Sequence, residues 1–209
     1  MTSLQWNGPK SADWVLVLAH GAGAGMDSPF MQTVAESLGQ QGLRVGRFNF
    51  PYMIRATEEG KRRPPDSAKK LLAAWEDVIA SVTQKMKPSQ RLAIGGKSMG
   101  GRIASMSTNH DRVEALVCLG YPFHPPGKPE KLRTEHFRDI RIPAMIVQGE
   151  RDTFGNKEEV KGMKLPRRIK KCWLADGDHS FKPRKASGRT LEQNMDSAVA
   201  KIVTFLSNC

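Results

Sequence analysis

The sequence predicts an α/β fold, a mostly parallel sheet flanked by helices on both faces. Short runs of Val, Ile and Leu alternate along the 209-residue chain with segments whose apolar residues recur every three or four positions. Strands of a parallel sheet are buried on both faces, so they read as continuous apolar runs. Glycine-rich or polar segments follow several of these runs, where open α/β sheets place their ligand sites. The length fits one domain, and we expect a single domain over residues 1–209.

The first half of the chain supplies three of the predicted strands. Residues 1–13 are polar and predict a short edge strand or hairpin. The elements that follow are a strand over Trp14–Ala19, a helix from Pro29 to Gly39 or Gly42, a strand over Arg44–Phe50, a loop over Pro51–Pro65 and an amphipathic helix over Ala68–Val82. The glycine-rich segment His20–Gly25 directly follows the first buried strand.

The second half continues the alternation. We predict a strand at Leu92–Ile94 running into a helix at Ile103, a strand over Val113–Gly120, a strand over Pro143–Gly149, a short helix within 156–163, a strand over Ile169–Ala175 and a closing helix over Leu191–Leu206. The segment 121–141 carries four prolines and has neither helical nor strand periodicity. It is interpreted as a long functional loop or a short lid.

The stretch around Ser98 is the most informative part of the chain. Gly96-Lys97-Ser98-Met99-Gly100 fits G-x-S-x-G, the pattern of a nucleophile elbow, between a predicted strand and a predicted helix. A serine hydroxyl is a poor nucleophile unless a strained turn holds it exposed beside a base. The two glycines are expected because a Cβ atom would collide where the strand and the helix approach each other. Ser98 is therefore the candidate nucleophile.

A base and an orienting acid must accompany such a serine. His179 follows the last predicted strand and is the candidate base, and Asp152 follows the strand before it and is the candidate acid. The chain order Ser98, Asp152, His179 is that of α/β-hydrolases. Asp176 and Asp178 lie nearer to His179 in sequence, but we interpret them as turn residues. Of the remaining histidines, we expect His20 to shape the neighbouring loop, His124 to line a pocket, and His110 and His136 to be solvated.

The oxyanion of an acyl-transfer reaction needs two N–H donors. We predict the Met99 N–H, near a helix N-terminus, and the Ala22 N–H in the glycine-rich loop. Glycines in this loop would also suit a phosphate, but G-x-G-x-x-G is absent and no P-loop lysine follows. The candidate substrate-binding residues are Gly21, Phe123 and His124. Nothing in the sequence points to a cofactor, and the cysteines (Cys118, Cys172, Cys209) lack metal-ligand spacing.

Composition limits location and partners. The sequence shows no signal peptide and no membrane-spanning run, and free thiols are expected for its three cysteines, so we expect a cytoplasmic protein. The net charge is +12, and ten Lys or Arg against two Asp lie between Lys161 and Arg189. Three interpretations of this charge follow: a solubilising surface, steering of anionic substrates by residues at the site rim (Lys182, Arg184, Lys185), and nucleic-acid binding, for which the sequence shows no known binding motif.

Five segments together resemble a known family. They are His20-Gly21, Gly96–Arg102, Gly120–His124, Gln148–Asp152 and Asp178-His179. They resemble the α/β-hydrolases, and within them the small capless hydrolases related to dienelactone hydrolases and to the hydrolase-like subunit of the NSL acetyltransferase complex. The resemblance extends from about residue 13 to 206. It implies the minimal α/β-hydrolase fold and assigns Ser98 as nucleophile, His179 as base and Asp152 as acid.

Two functions follow from these observations. The first is a serine hydrolase that cleaves a small ester, thioester or lactone through an acyl-enzyme. The second is a non-catalytic binding module built on a hydrolase scaffold. A scaffold has no need of an intact serine, aspartate and histidine set, so the sequence favours the enzyme. Fold-level resemblance does not choose a substrate.

Overall fold

A single sheet organises the computed structural model, which describes residues 3–209. Within these residues the sheet has seven strands: β1 (Leu4–Asn7), β2 (Trp14–Ala19), β3 (Arg44–Phe48), β4 (Arg91–Lys97), β5 (Val113–Leu119), β6 (Ala144–Gly149) and β7 (Ile169–Leu174). Their spatial order is β1-β3-β2-β4-β5-β6-β7. Only β1 runs antiparallel to its neighbour, and the other five pairings are parallel. The predicted fold class is confirmed.

Helices cover both faces of the sheet. The described residues form six α-helices: α1 (Pro29–Gln40), α2 (Pro51–Glu58), α3 (Ala68–Thr83), α4 (Met99–Ser105), α5 (Lys157–Lys161) and α6 (Leu191–Ser207). Apolar residues of α1 and α6 form one buried cluster with the strands, and those of α3 and α4 form a second cluster on the opposite face. Strands β2 and β6 are buried along their whole length, which explains why they read as continuous apolar runs.

The predicted elements agree with the structure except in one segment. The loop expected over Pro51–Pro65 contains α2, which occupies its first eight residues. Pro51 takes the first helical position, where the lack of an N–H has no cost, but Tyr52 is the one buried residue of this helix. A helix with a single buried position shows no apolar periodicity, so its sequence pattern does not predict it. At the N-terminus, the edge-strand alternative was correct, because β1 pairs with β3.

The segment 121–141 packs against the body of the molecule. Its regular structure is a short 3-10 helix at Glu135–Asp139, and Tyr121, Phe123, Phe137 and Ile140 are buried in the core. Residues 127–132 are exposed. No cap domain is present between β5 and β6 in the described chain. Among residues 3–209, no helix is both long and apolar enough to cross a membrane.

Candidate active site

Ser98 lies in the tight turn between β4 and α4. Its backbone has φ 53° and ψ −118°, a conformation that costs a non-glycine residue about 1–3 kcal/mol. The Ser98 N–H donates to the carbonyl of Leu119 on β5, which fixes the turn against the sheet. A Cβ atom on Gly96 or Gly100 would lie within 3.0 Å of the carbonyl oxygen of Ala19, at the end of β2. The predicted close approach of strand and helix is confirmed at Gly96, whose Cβ would also lie 2.9 Å from the Gly100 carbonyl carbon. At Gly100 the close neighbours are instead the backbone atoms of Ala19 and His20.

Three side chains from different loops form one hydrogen-bonded chain. The Ser98 Oγ lies 2.9 Å from His179 Nε2, and His179 Nδ1 lies 2.8 Å from Asp152 Oδ2. A carboxylate is only an acceptor, so Nδ1 carries the proton and Nε2 is free to accept the Ser98 hydroxyl proton. Asp152 is fully buried, while His179 and Ser98 are partly exposed. The three residues lie at the carboxyl ends of parallel strands, where the sequence predicted a ligand site.

The Asp152 carboxylate is held by further donors. Gln148, the penultimate residue of β6, donates its Nε2 to Asp152 Oδ2 at 2.8 Å, and the Phe154 N–H donates to Oδ1 at 2.9 Å. Gln148 is itself fully buried, and its Oε1 accepts the N–H of Tyr121. A buried carboxylate whose lone pairs are occupied keeps one orientation, because any rotation would leave a polar group without a partner.

The loop that carries His179 is fixed from two sides. Asp178 accepts hydrogen bonds from the Ser180 and Lys182 N–H groups through Oδ1, so it closes the turn as the sequence predicted. The Nζ of Lys97, which precedes Ser98, donates to the carbonyl oxygen of His179. The ring of Phe154 lies over the imidazole, with the two centroids 4.3 Å apart. Backbone and ring of His179 are therefore both held.

Lys97 is an unusual neighbour for such a site because it is buried. It is 8% exposed, and its ammonium lies 5.2 Å from the ring centroid of Phe30 and 6.0 Å from that of Phe181. Burial lowers the pKa of Lys97 to about 8, and the Asp152 and Asp178 carboxylates oppose this shift. A side chain at Gly120 would collide with the ammonium and with the His179 backbone.

The glycine-rich loop after β2 lies against the serine. A Cβ atom on Gly21 would lie 3.7 Å from the Ser98 Cβ. The Gly21 carbonyl accepts from His20 Nδ1 at 2.6 Å and from the Tyr52 hydroxyl at 3.3 Å. A trans peptide directs its N–H opposite to its C=O, so these two bonds set the direction of the Ala22 N–H. The Met99 N–H belongs to the first turn of α4, whose N–H groups have no acceptor within the helix.

His20 holds this loop from the interior of the protein. It is fully buried, and its Nε2 accepts the Phe50 N–H at 3.1 Å while Nδ1 donates to Gly21. Desolvation lowers its pKa, although the bond to Gly21 opposes the shift. A neutral imidazole fits both contacts, because one ring nitrogen must donate and the other must accept.

Two of the three residues predicted to bind substrate are buried in the structure, which corrects their assignment. Phe123 is fully buried against Tyr121 and Phe137. His124 is 2% exposed and contacts Glu159 and the Pro125 carbonyl. Neither side chain has a surface open to a ligand. Gly21 is half-buried beside Ser98 and keeps its assignment as a proposal.

Two further side chains, His136 and Arg184, have surroundings that differ from those expected. His136, expected to be solvated, is half-buried and bonds the Ser105 hydroxyl at 2.7 Å. Arg184, one of the three cations expected at the rim of the site, forms an ion pair with Asp176, which offsets its charge. Lys182 and Lys185 are exposed. A separate cavity of about 610 Å³ lies at the amino ends of the strands, between β1 and the end of α3, and is not part of the site at Ser98.

The sequence pattern assigned no role to Tyr52, Phe154 or Gln148, although all three touch the candidate site. Gln148 carried a usable signal, because it is the one strongly polar residue in an otherwise apolar strand. Tyr52 and Phe154 carried none, since their contacts join segments about 25 to 30 residues apart in sequence.

Comparison with known proteins identifies the family and the fold. The profile of the alpha/beta hydrolase domain family matches residues 12–207. An alpha-beta serine hydrolase homologue from Coxiella burnetii is 20% identical, with a TM-score of 0.70 over 95% of this chain and 90% of that one. An a/b serine hydrolase without lid from Xanthomonas campestris is 16% identical, with a TM-score of 0.66 over 94% and 86%.

A third solved structure supports the same fold. The dienelactone hydrolase from Anabaena variabilis is 19% identical, with a TM-score of 0.65 over 95% of this chain and 89% of that one. The chain thus belongs to the alpha/beta hydrolase domain family, as a capless protein similar to dienelactone hydrolases.

Proposed function

We propose that this protein is a serine hydrolase that cleaves a small ester, thioester or lactone. Ser98 Oγ attacks the acyl carbon while His179 Nε2 takes its proton, and the tetrahedral oxyanion is bound by the Met99 and Ala22 N–H groups. Collapse expels the alcohol or thiol, which receives the proton from His179. Water then attacks the acyl-enzyme with His179 again acting as base, and the acid is released.

The observation that carries this proposal is the unbroken hydrogen-bond chain from Ser98 through His179 to Asp152, at 2.9 and 2.8 Å. Both distances lie within the reach that a general base needs, about 2.6–3.2 Å between heavy atoms, and this supports the proposal. A buried carboxylate fixes the tautomer of the neutral imidazole. It also stabilises the imidazolium that forms when the serine attacks.

A non-catalytic binding module fits these contacts less well. The strained Ser98 backbone and the fully buried Asp152 both have a cost in folding free energy. A surface that only binds a partner gains nothing from either feature. The proposed substrate is a small molecule, and we propose the cytoplasm as the site of action because the three cysteines are free thiols.

The decisive experiment is labelling with a fluorophosphonate probe and mapping of the modified residue by mass spectrometry. We expect a single adduct on Ser98. Ser98→Ala should abolish labelling and lower turnover of short p-nitrophenyl esters to what the oxyanion-binding N–H groups and substrate binding alone provide, roughly 10³- to 10⁴-fold above water. An adduct on another serine, or unchanged turnover in Ser98→Ala, would refute the proposed function.

A further inference from the structure

The cavity of about 610 Å³ at the amino ends of the strands has no part in the site at Ser98. Its walls come from β1, from the first residues of β2 and β3, from the end of α3 and from the loops that precede β2 and β4. Ser98 follows β4, which runs parallel to β2, so the serine and this cavity lie at opposite ends of the sheet. A volume of this size is typical of small-molecule sites.

The loops that border the cavity are fixed to each other. Gln90 is buried, and its Nε2 donates to the carbonyl oxygens of Lys10 at 3.2 Å and Ala12 at 2.7 Å. Its Oε1 accepts the N–H of Lys87 at 3.0 Å. One amide side chain thus holds together the loop before β2 and the loop before β4, so the cavity is bounded by ordered backbone.

Part of the cavity wall is apolar. Val15 and Val82 are buried in the core and line the cavity with one face. Beside them, Trp6 is one of the few large apolar side chains that are exposed, at 37%. Its ring packs directly on β3, because a Cβ atom on Gly46 would lie 2.8 Å from the nearest ring atom. An exposed tryptophan with a fixed ring offers a flat apolar surface to a ligand.

Cations line the rest of the wall. They are Lys10, Arg44, Lys85 and Lys87. No aspartate or glutamate is among the described residues that line the cavity, and within residues 3–209 none of the four cations forms an ion pair with a carboxylate. A concave surface that carries charge of one sign concentrates ions of the opposite sign.

Arg44 connects the charged wall to the apolar wall. Its Cζ lies 4.8 Å from the centroid of the Trp6 ring, and its Nη1 donates to the carbonyl oxygen of Gly8 at 2.6 Å. The half-buried guanidinium is therefore held in place from two sides. Within the described chain its other N–H groups have no hydrogen-bond acceptor, and a planar guanidinium can give two parallel hydrogen bonds to one carboxylate.

We propose that this cavity binds a small amphipathic anion, a carboxylate that carries an aromatic or short acyl group. The apolar group lies against Trp6 and the two valines, and the carboxylate lies at Arg44 with the lysines around it. A neutral hydrocarbon would leave the four cations without a counterion, and a compact inorganic anion would leave the apolar wall in contact with water. An amphipathic carboxylate satisfies both parts. This site is independent of the proposed function, since it includes no residue of the site at Ser98.

The test compares two probes that differ in one charge, dansylglycine and its neutral amide, dansylglycinamide. Dansyl emission increases and shifts to the blue in apolar surroundings, so a fluorescence titration gives Kd for each probe. We expect one saturable site that binds dansylglycine about 10- to 100-fold more tightly than the amide, the effect of hydrogen bonds between charged groups. The two Kd values are measured on one preparation, so their ratio does not depend on the fraction of folded protein.

Substitutions locate the bound probe. Arg44→Gln should lower the preference for dansylglycine by about 10-fold, and Trp6→Ala should weaken both probes because the ring contacts the uncharged part. Lys85→Gln/Lys87→Gln, at two exposed positions, should lower the preference by about 2- to 10-fold without a contact needed for folding. Arg138→Gln is the matched control, since Arg138 is 84% exposed in the 3-10 helix at Glu135–Asp139 and lines no part of the cavity.

Three results would overturn the inference. The first is the absence of saturable dansylglycine binding to the wild type. The second is an equal Kd for the two probes, which would leave an apolar cavity without an anion site. The third is the same preference in Arg44→Gln as in Arg138→Gln, which would place the probe elsewhere on the basic surface. None of these results bears on Ser98, whose labelling by a fluorophosphonate tests the proposed function separately.

Discussion

Three aspartates lie near His179 in sequence or in space, and their environments differ. Asp152 is fully buried and contacts the imidazole Nδ1. Asp176 is paired with Arg184 and Arg151, which together with its hydrogen bonds lower its pKa to about 2. Asp178 caps a turn through the Ser180 and Lys182 N–H groups. Only the first of these arrangements can fix the tautomer of the base.

We therefore expect Asp152→Asn to lower kcat by up to about 10⁴-fold, the effect of the same substitution in the template triad. Three donors face this side chain, the Gln148 Nε2, the His179 Nδ1 and the Phe154 N–H. An asparagine offers them one oxygen and one NH2 group, and where the NH2 faces the imidazole it favours the wrong tautomer. Asp176→Asn and Asp178→Asn should reduce kcat far less, because neither residue contacts the ring. Steady-state kinetics on one p-nitrophenyl ester ranks the three variants. A reversed ranking would mean that Asp152 is not the residue that orients His179.

Lys97 predicts a pH dependence of stability. Its pKa is about 8 in the folded protein and 10.5 for an unburied lysine side chain, so between these values the unfolded state binds more protons. The free energy of unfolding should therefore rise with pH from about 8 to 10.5, because the cost of burying the ammonium disappears as the folded protein loses that proton. A shift of this size corresponds to about 3 kcal/mol.

Lys97→Met isolates this contribution. Urea unfolding of both proteins at several pH values should show the difference in unfolding free energy shifting in favour of the wild type as pH rises from about 8 to 10.5. Groups common to both proteins, including Tyr52, whose pKa burial raises to about 12, cancel in the comparison. Parallel curves for the two proteins over this range would show that Lys97 keeps its ordinary pKa.

At the scale of elements, the turn between β4 and α4 depends on a close approach to β2. Gly100 lies on α4 at a point where a Cβ would lie within 3.0 Å of the carbonyl oxygens of Ala19 and His20. These are backbone atoms of a central strand and the residue that follows it, which cannot move aside without disturbing sheet hydrogen bonds. The whole elbow, and with it the position of Ser98, is set by this contact.

Gly100→Ala should therefore destabilise the protein by about 1–3 kcal/mol or more and displace Ser98 from His179. Gly23→Ala is the matched control, because a Cβ on Gly23 meets no atom within 4 Å. Thermal unfolding and the rate of fluorophosphonate labelling report the two effects separately. If both variants melt and react like the wild type, the helix can retreat from β2 and the close approach is not required.

The elements that could be predicted are those whose buried residues follow a regular pattern, either continuous along a strand or every three to four residues along a helix. Strand β2 is buried at all six positions, and helix α3 buries a stripe of six residues at steps of three or four. Their boundaries were readable because each pattern stops where burial stops. Helix α2 could not be predicted in this way, since Tyr52 alone is buried and its hydroxyl bonds a loop 30 residues earlier.

The same distinction applies to the candidate site. The order of Ser98, Asp152 and His179, each just after a strand, was enough to predict that they meet, because parallel strands end at one edge of the sheet. Sequence did not indicate which side chains would be buried within the segment 121–141. Phe123 and His124 follow β5 closely, and their burial results from packing against residues such as Phe137 and Glu159 further along the chain.

At the scale of the whole molecule, the basic charge is spread over both ends of the sheet. The cavity at the amino ends of the strands is lined by Lys10, Arg44, Lys85 and Lys87. On the side of the candidate site, Lys182 and Lys185 are exposed, while Arg184 is offset by Asp176. A net charge of +12 attracts anions to the whole surface, and local clusters decide where they arrive.

The field near the site predicts a salt-dependent rate. Lys182→Glu/Lys185→Glu should lower kcat/KM for an anionic ester at low salt, and the loss should vanish at high salt, because the Debye length falls from about 30 Å at 0.01 M to about 3 Å at 1 M. Lys85→Glu/Lys87→Glu changes the net charge equally at the opposite end of the sheet, so it separates the effect of a local field from that of total charge.

The comparison uses stopped-flow or steady-state rates for an anionic ester and its neutral counterpart, measured from about 0.01 to 1 M salt. An equal loss in both double variants would assign the effect to net charge, and no loss in either would leave Lys182 and Lys185 as solubilising surface.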